Sequence, residues 1–319
     1  MKDALPTVFS WVERFSRGAI IATIVIFGLL RIAGIQVNLS IQVTIALVGL
    51  LIGIPHGAID HLISIPSTPR GRFYIYIAGY VALAVLAGSI IAKWNLYGFQ
   101  AVIVMSSLHF GYGDASFRNE WRSAAKAANF PWLIESIYAI PAGFAPVLLP
   151  LTDPKSASAL GRIRLTLEGW AGSHSDPLRV VTLSVALVSL LVLLISKKFD
   201  FAIDLVLLVA LALTAPPLVA FATYFGFWHA ARHTARLVPK LASSKTLATS
   251  GKAGLALRAA ITPGLYAVAG TTAMAIGLMA FDRHHFGSGL LWSALVVVWA
   301  LTVPHMLSTA RFDLRATGG

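Results

Sequence analysis

Apolar residues fall along this chain in long runs, not in the two-residue alternation of half-buried strands. Ten runs lie near residues 18–36, 40–59, 73–92, 95–113, 129–150, 179–196, 201–215, 218–236, 260–281 and 287–308. About 20 apolar residues cross a bilayer as a helix, and a helix satisfies its own backbone polar groups where water is absent. The pattern predicts an all-α, polytopic integral membrane helix bundle of about ten transmembrane helices, forming one domain over residues 1–319. Residues 201–236 are too long for one crossing at ~1.5 Å per residue. Pro216-Pro217 divides them, which favours two spans over one kinked helix. The run from Gly18 to Ile35 lacks a small-x-small cleavage site and is expected to be a retained first span.

Composition sharpens this picture. Hydrophobic residues make up 57% of the 319 and charged residues only 12%, against about 25% charged in soluble domains. Mean hydropathy is +0.77. Cysteine is absent, which excludes disulfides, thiolate ligands and thiol nucleophiles and leaves any metal to His, Asp or Glu. The net charge of +12 comes from basic residues grouped between the apolar runs. Loops facing an anionic cytoplasmic leaflet carry such an excess, so it points to membrane lipid and not to nucleic acid. With both termini cytoplasmic, 18 Lys and Arg fall inside and 7 outside, which supports ten spans in a cell inner (cytoplasmic) membrane. Residues 151–178 read as the longest outer loop, and 237–258 as a mobile basic cytoplasmic loop.

The chemistry lies in the nine histidines. His174, His284 and His285 sit in polar loops and are expected to be solvated. His56, His109, and the pair His229 and His233 fall in the second, fourth and eighth runs, each near the cytoplasmic end, and His305 falls likewise in the tenth. Ionisable groups inside a membrane are costly and mark function. His229 and His233 are four apart, so a helix presents both rings on one face, a usual way to give a metal two ligands. Neutral imidazole suits Zn, Cu or Fe. Asp60 and Asp114 follow His56 and His109 by four and five residues, placed to accept a ligand's second ring N–H; a helix-end carboxylate or salt bridge is the plainer alternative. His61 lies beyond the span end, and His305 follows Pro304, where it caps a kinked helix or hydrogen-bonds a ligand; contact with the metal is the lesser alternative for each. Gly57, Gly111 and Gly113 permit close backbone approach or pack helices.

Together these motifs resemble the Brp/Blh family of membrane β-carotene 15,15'-dioxygenases. The likeness rests on Gly53-x-Pro55-His56-Gly57-Ala58-x-Asp60 and His109-Phe110-Gly111-x-x-Asp114, then on Ala215-Pro216-Pro217-Leu218-Val219 with Phe221-Ala222-Thr223-Tyr224-Phe225. It continues through His229-x-x-Arg232-His233 and ends in Leu301-Thr302-Val303-Pro304-His305-Met306. The resemblance implies cleavage of β-carotene by O2 at its central double bond into two retinals, with a microbial rhodopsin as downstream user of the product. It implies Fe2+ held by His56, His109, His229 and His233, and gives His61 no role. Four imidazoles leave up to two open positions on an octahedral iron. Phe110, Tyr112, Tyr224, Phe225, Phe227 and Trp228 flank these positions and are candidates to line an apolar substrate pocket. Competing readings are a His-box diiron oxygenase, which uses about eight histidines, and a haem-binding or transport protein.

Overall fold

The computed structural model describes residues 5–59, 62, 70–153, 160–164, 167–282 and 286–316. The described residues are overwhelmingly helical and contain no strand. Helix α1 is Leu5–Ile32, α2 Leu39–Gly53, α3 Arg70–Lys93, α4 Asn95–Ala124, α5 Trp132–Leu151, α6 Ser175–Ile195 and α7 Phe199–Thr214. Then come α8 (Pro217–Ala222), a π-helical segment (Thr223–His229), α9 (Ala230–Leu237), α10 (Ala242–Thr249), α11 (Ala253–Ile261), α12 (Leu265–Asp282) and α13 (Phe286–Ala316).

Helix accounts for most of each predicted run, the main gaps being residues 33–36, 57–59 and 129–131 of the first, second and fifth runs. By length and composition, seven helical stretches among the described residues can cross a membrane. They are Leu5–Ile32, Leu39–His56, Gly71–Lys93, Trp132–Leu151, Gly172–Ile195, Ala253–Ala280 and Gly289–Ala310. The other three runs fall short for separate reasons. Helix α7 has only 16 residues, the eighth run is broken into α8, the π segment and α9, and α4 is too polar even before its charged second half, with Asn95, Gln100, Ser106, Ser107 and His109 among its apolar residues. Ala215 and Pro216 are extended between α7 and α8, so the expected break at the proline pair is present.

The bundle is apolar outside as well as inside. Only 22% of the most apolar stretch of Gly172–Ile195 is buried, and Ile75, Val85 and Val188 are all more than half exposed. Such faces match lipid, not water. Inside, α5 packs along α4, α6 and α7, while α13 packs along α3 and α12. The α4–α5 crossing is close because both sides are bare: a Cβ on Gly111 would meet the Ala139 carbonyl oxygen at 1.9 Å, and one on Gly143 would meet that of Ser107 at 1.8 Å.

Three expectations change. The first helix starts at Leu5, not near residue 18, because Val8, Phe9 and Val12 pack on Phe117, Ala235 and Val238. Residues 237–258 are not a mobile loop: α10 and α11 bury Ala248, Ala256 and Ala260 in that same cluster, capping one end of the bundle. After α5, the described residues 160–164 and 167–171 pack on the bundle, with Leu160, Ile163, Leu167 and Trp170 buried in the main core. Gln100 Nε2 donates to the Trp170 carbonyl at 2.7 Å and ties it down.

Candidate metal centre

Helix α2 is capped by Asn38, whose side chain accepts from the Ile41 amide at 2.9 Å. It ends in a 3₁₀ turn, Ile54–His56, set by Pro55. That tight turn directs His56 inward, where its Nδ1 hydrogen-bonds the Gly53 carbonyl. A carbonyl can only accept, so Nδ1 carries the hydrogen and Nε2 keeps the lone pair. His109 comes from the middle of α4, His229 from the end of the π segment, His233 from α9 and His305 from α13. All five are buried.

Their rings meet. His56 lies 5.2 Å, centroid to centroid, from both His229 and His233, and 5.3 Å from His305. His109 lies 5.1 Å from His229 and 5.0 Å from His305. His233 lies 5.4 Å from His305 and 6.1 Å from His229. A metal–nitrogen bond of about 2.1 Å puts each ring centroid roughly 3.2 Å from the ion, so adjacent ligand rings stand about 4.5–5.3 Å apart and opposed ones about 6.4 Å. The observed separations fall in or close to that range. Among the described residues no group of three such side chains already closes a coordination shell. A turn about the Cβ–Cγ bond moves an imidazole's nitrogens and leaves its centroid in place, so the centroid spacing bears on fit even where the nitrogens do not yet converge. The donor chemistry agrees: His109 Nε2 and His229 Nε2 are buried with no hydrogen-bond partner. A lone pair aimed at a cation would answer that cost. The residues present therefore fit an imidazole-bound metal.

Of the two carboxylates expected to orient ligands, Asp60 lies outside the described residues, as do His61, His284 and His285. Asp114 is fully buried and accepts from Trp228 Nε1 at 2.5 Å, not from an imidazole. The backbone of Gly53 takes the orienting role for His56. His174 is exposed beside α6, far along the chain from the cluster's elements.

A cavity of about 230 Å³ opens beside the rings. His56, His109 and His305 form one wall, and Tyr76, Tyr80, Phe110, Phe225, Thr271 and Leu301 are among the others. Of the six aromatic residues named from sequence, Phe110 and Phe225 line this cavity. Tyr112 instead pairs with Ser136 (3.2 Å), Tyr224 packs edge-on to Phe110 (5.5 Å), Phe227 faces Phe15 (6.2 Å), and Trp228 lies under Arg232. The tyrosines of α3 carried no signal in sequence, since nothing there brings α3 beside α13. Phe110 also walls a second cavity of about 90 Å³, with Val102, Ile103, Leu167, Phe221 and Trp299 on its far side.

Behind the imidazoles lies a buried ion network that sequence reading assigned to loops. Arg118, Arg232 and Arg236, three of the 18 basic residues that the sequence count puts on the cytoplasmic side, are each at most 4% exposed. Asp204 accepts from Arg17 Nε (2.7 Å), Arg118 Nη2 (2.6 Å) and Arg232 Nη1 (2.9 Å). Glu13 pairs with Arg17 (2.9 Å) and Arg118 (2.6 Å), and Glu120 with Arg236 (3.3 Å). The Arg232 guanidinium stacks 3.5 Å from the Trp228 ring centroid.

Fold and site together define a helical, membrane-type protein with a buried multi-histidine centre beside an apolar cavity. The family described as Beta-carotene 15,15'-dioxygenase matches residues 45–313, and the chain belongs to that family. The chain is 28% identical over 266 residues to the Beta-carotene 15,15'-dioxygenase of uncultured marine bacterium 66A03, covering 80% of this chain and 88% of that protein. No solved structure matches.

Proposed function

We propose that this protein cleaves β-carotene with O2 at its central 15,15' double bond, using iron held by His56, His109, His229 and His233. The observation that carries the reading is the gathering of these four imidazoles in one buried cluster, two of them, His56 and His109, lining an apolar cavity, within a chain of this family. Breaking one C=C bond and adding one oxygen atom to each carbon gives two retinals. O2 supplies both atoms, so no external reductant or proton relay is required. Bound iron would supply the activation of O2 by the electron-rich polyene.

The protein's own groups do the rest. Gly53 fixes the tautomer of His56. Phe110 and Phe225 present aromatic faces to the cavity and help keep water from the rings. A rod cut at its middle needs room on both sides of the reacting bond. The cavity beyond Phe110 is the candidate berth for the second half. The substrate dissolves in lipid, and a bundle with exposed apolar faces in the cell inner membrane can receive it sideways.

The test is expression in a bacterial strain that accumulates β-carotene. Loss of orange colour with retinal appearing by chromatography is the expected result. Unchanged β-carotene, with folded protein in the membrane and iron supplied, would overturn the reading. A Soret band in the purified protein would replace it with haem.

A further inference from the structure

We propose that Arg236 biases bound iron toward its ferrous state, through a fixed positive charge buried beside the imidazoles. This rests on the iron reading above and concerns a positioning residue that binds neither metal nor substrate.

The charge is close. A Cβ on Gly113 would lie 3.4 Å from His229 Cε1 and 4.0 Å from Arg236 Nη1, so ring and guanidinium border the same bare spot on α4. The guanidinium is also within electrostatic reach of His109 and His233. Arg236 is only 1% exposed, so little water screens it.

The charge is also incompletely offset. Elsewhere in the network Glu13, Asp114 and Asp204 stand against Arg17, Arg118 and Arg232, three charges of each sign. Around Arg236 the count is uneven. Glu120 Oε1 is shared between Arg236 Nη2 at 3.3 Å and Lys240 Nζ at 3.7 Å, so one carboxylate answers two cations. The surplus positive charge therefore sits at the part of the network that faces the rings.

Neutral imidazoles bring no negative charge to offset it. A nearby cation opposes Fe3+ more than Fe2+, by one unit of charge. At a separation of about 8–10 Å and an effective dielectric constant of about 20, that favours Fe2+ by roughly 15–30-fold. The bias has a use. The cleavage proposed above balances with O2 alone, so an ion that lost an electron to stray oxidation has no supplied reductant to restore it.

The test uses full-length protein in detergent, loaded anaerobically with Fe2+. Redox titration with mediators, followed by the electron paramagnetic resonance signal of Fe3+, gives the ferric-to-ferrous ratio at each applied potential. Arg236→Gln should raise that ratio by roughly 15–30-fold at a fixed potential. Arg236→Lys keeps the charge and should stay close to wild type. Glu120→Gln removes the opposing carboxylate and should lower the ratio. A merely structural ion pair would make the two glutamine variants behave alike. Unchanged ratios, a shift in the same direction in both, or an Arg236→Lys shift as large as that of Arg236→Gln overturns the proposal and leaves the iron reading intact. A wild-type protein that takes up no iron overturns both. If Arg236→Gln does not insert, Glu120→Gln decides alone: a lowered ratio supports the proposal, and an unchanged or raised one overturns it.

Discussion

Replacing Asp204 by Asn tests whether the buried ion network positions the imidazoles. The substitution keeps shape and removes one negative charge at a fully buried site that three guanidinium groups address. Arg17 and Arg118 retain Glu13, at 2.9 and 2.6 Å. Arg232 keeps the Ser16 hydroxyl, at 3.2 Å, its stack on Trp228, a looser contact with the Phe117 ring at 5.1 Å and the more distant charge of Asp114. An asparagine oxygen can still accept, but its NH2 faces cations, so roughly two of the three charge-assisted bonds are lost. At about 1.5–3 kcal/mol each this comes to about 3–6 kcal/mol, in line with the roughly 3–5 kcal/mol for breaking a buried ion pair. With an unfolding entropy near 2.1 cal/mol/K per residue, a loss of about 3–5 kcal/mol lowers the melting temperature by about 5–8 °C. Fluorescence-monitored melting in detergent measures this, and chelator competition on the same samples reads metal affinity, which should fall as α9 loosens. Adding Arg232→Met should recover part of the loss, because the orphaned cation is then gone. A single variant that melts with wild type and binds metal equally well would refute the argument.

Other expectations bear on the site itself. His229→Ala and His233→Ala should each abolish retinal formation and weaken iron binding by about 100-fold or more, with insertion unchanged, whereas His174→Ala should leave retinal yield and iron content unaltered. Phe110→Ala merges the two cavities and loosens the rod, so turnover per bound iron should fall about 10–100-fold; iron content measured alongside should stay constant, and its loss would make Phe110 structural. Gly111→Ala drives a methyl into the Ala139 carbonyl and should cost at least about 1–3 kcal/mol, read as lower yield of monodisperse protein. Anaerobic chelation should remove activity, with Fe2+ restoring it and Zn2+ failing to.

The histidines were legible because they break long apolar runs at matching depth, and because Pro55 and Gly57 flag a tight turn at His56. Helices were legible from run length, and their ends less so: Val8 and Phe9 gain their partners from Phe117 and Ala235, more than a hundred residues away. The ion network was hidden for the same reason. Arg17 and Arg232 look like ordinary flanking charges until α7 brings Asp204 between them. The partner of Asp114 could not be read either, since a residue five beyond a histidine says nothing about which way its helix faces. Pro304 suggested a helix end at His305, yet α13 runs through it.

The π segment resolves how one helix can serve both the imidazoles and the ion network. Trp228, Arg232 and Arg236 repeat every four residues, and so do His229 and His233, one position on. The first stripe is held at three heights: Trp228 to Asp114, Arg232 to Asp204 and Arg236 to Glu120. The second stripe faces His56, His109 and His305. Sliding the helix by one residue would turn it by about 100° and carry both imidazoles out of the cluster. Three separate ionic or hydrogen-bonded contacts oppose that slide, and each draws on a different residue of α4 or α7. The extra residue per turn in Thr223–His229 changes the register just before the first histidine. It lets the apolar stretch above keep its own packing against α2 while the stripes below meet their partners. Where the two rings point is thereby coupled to the charges buried behind them.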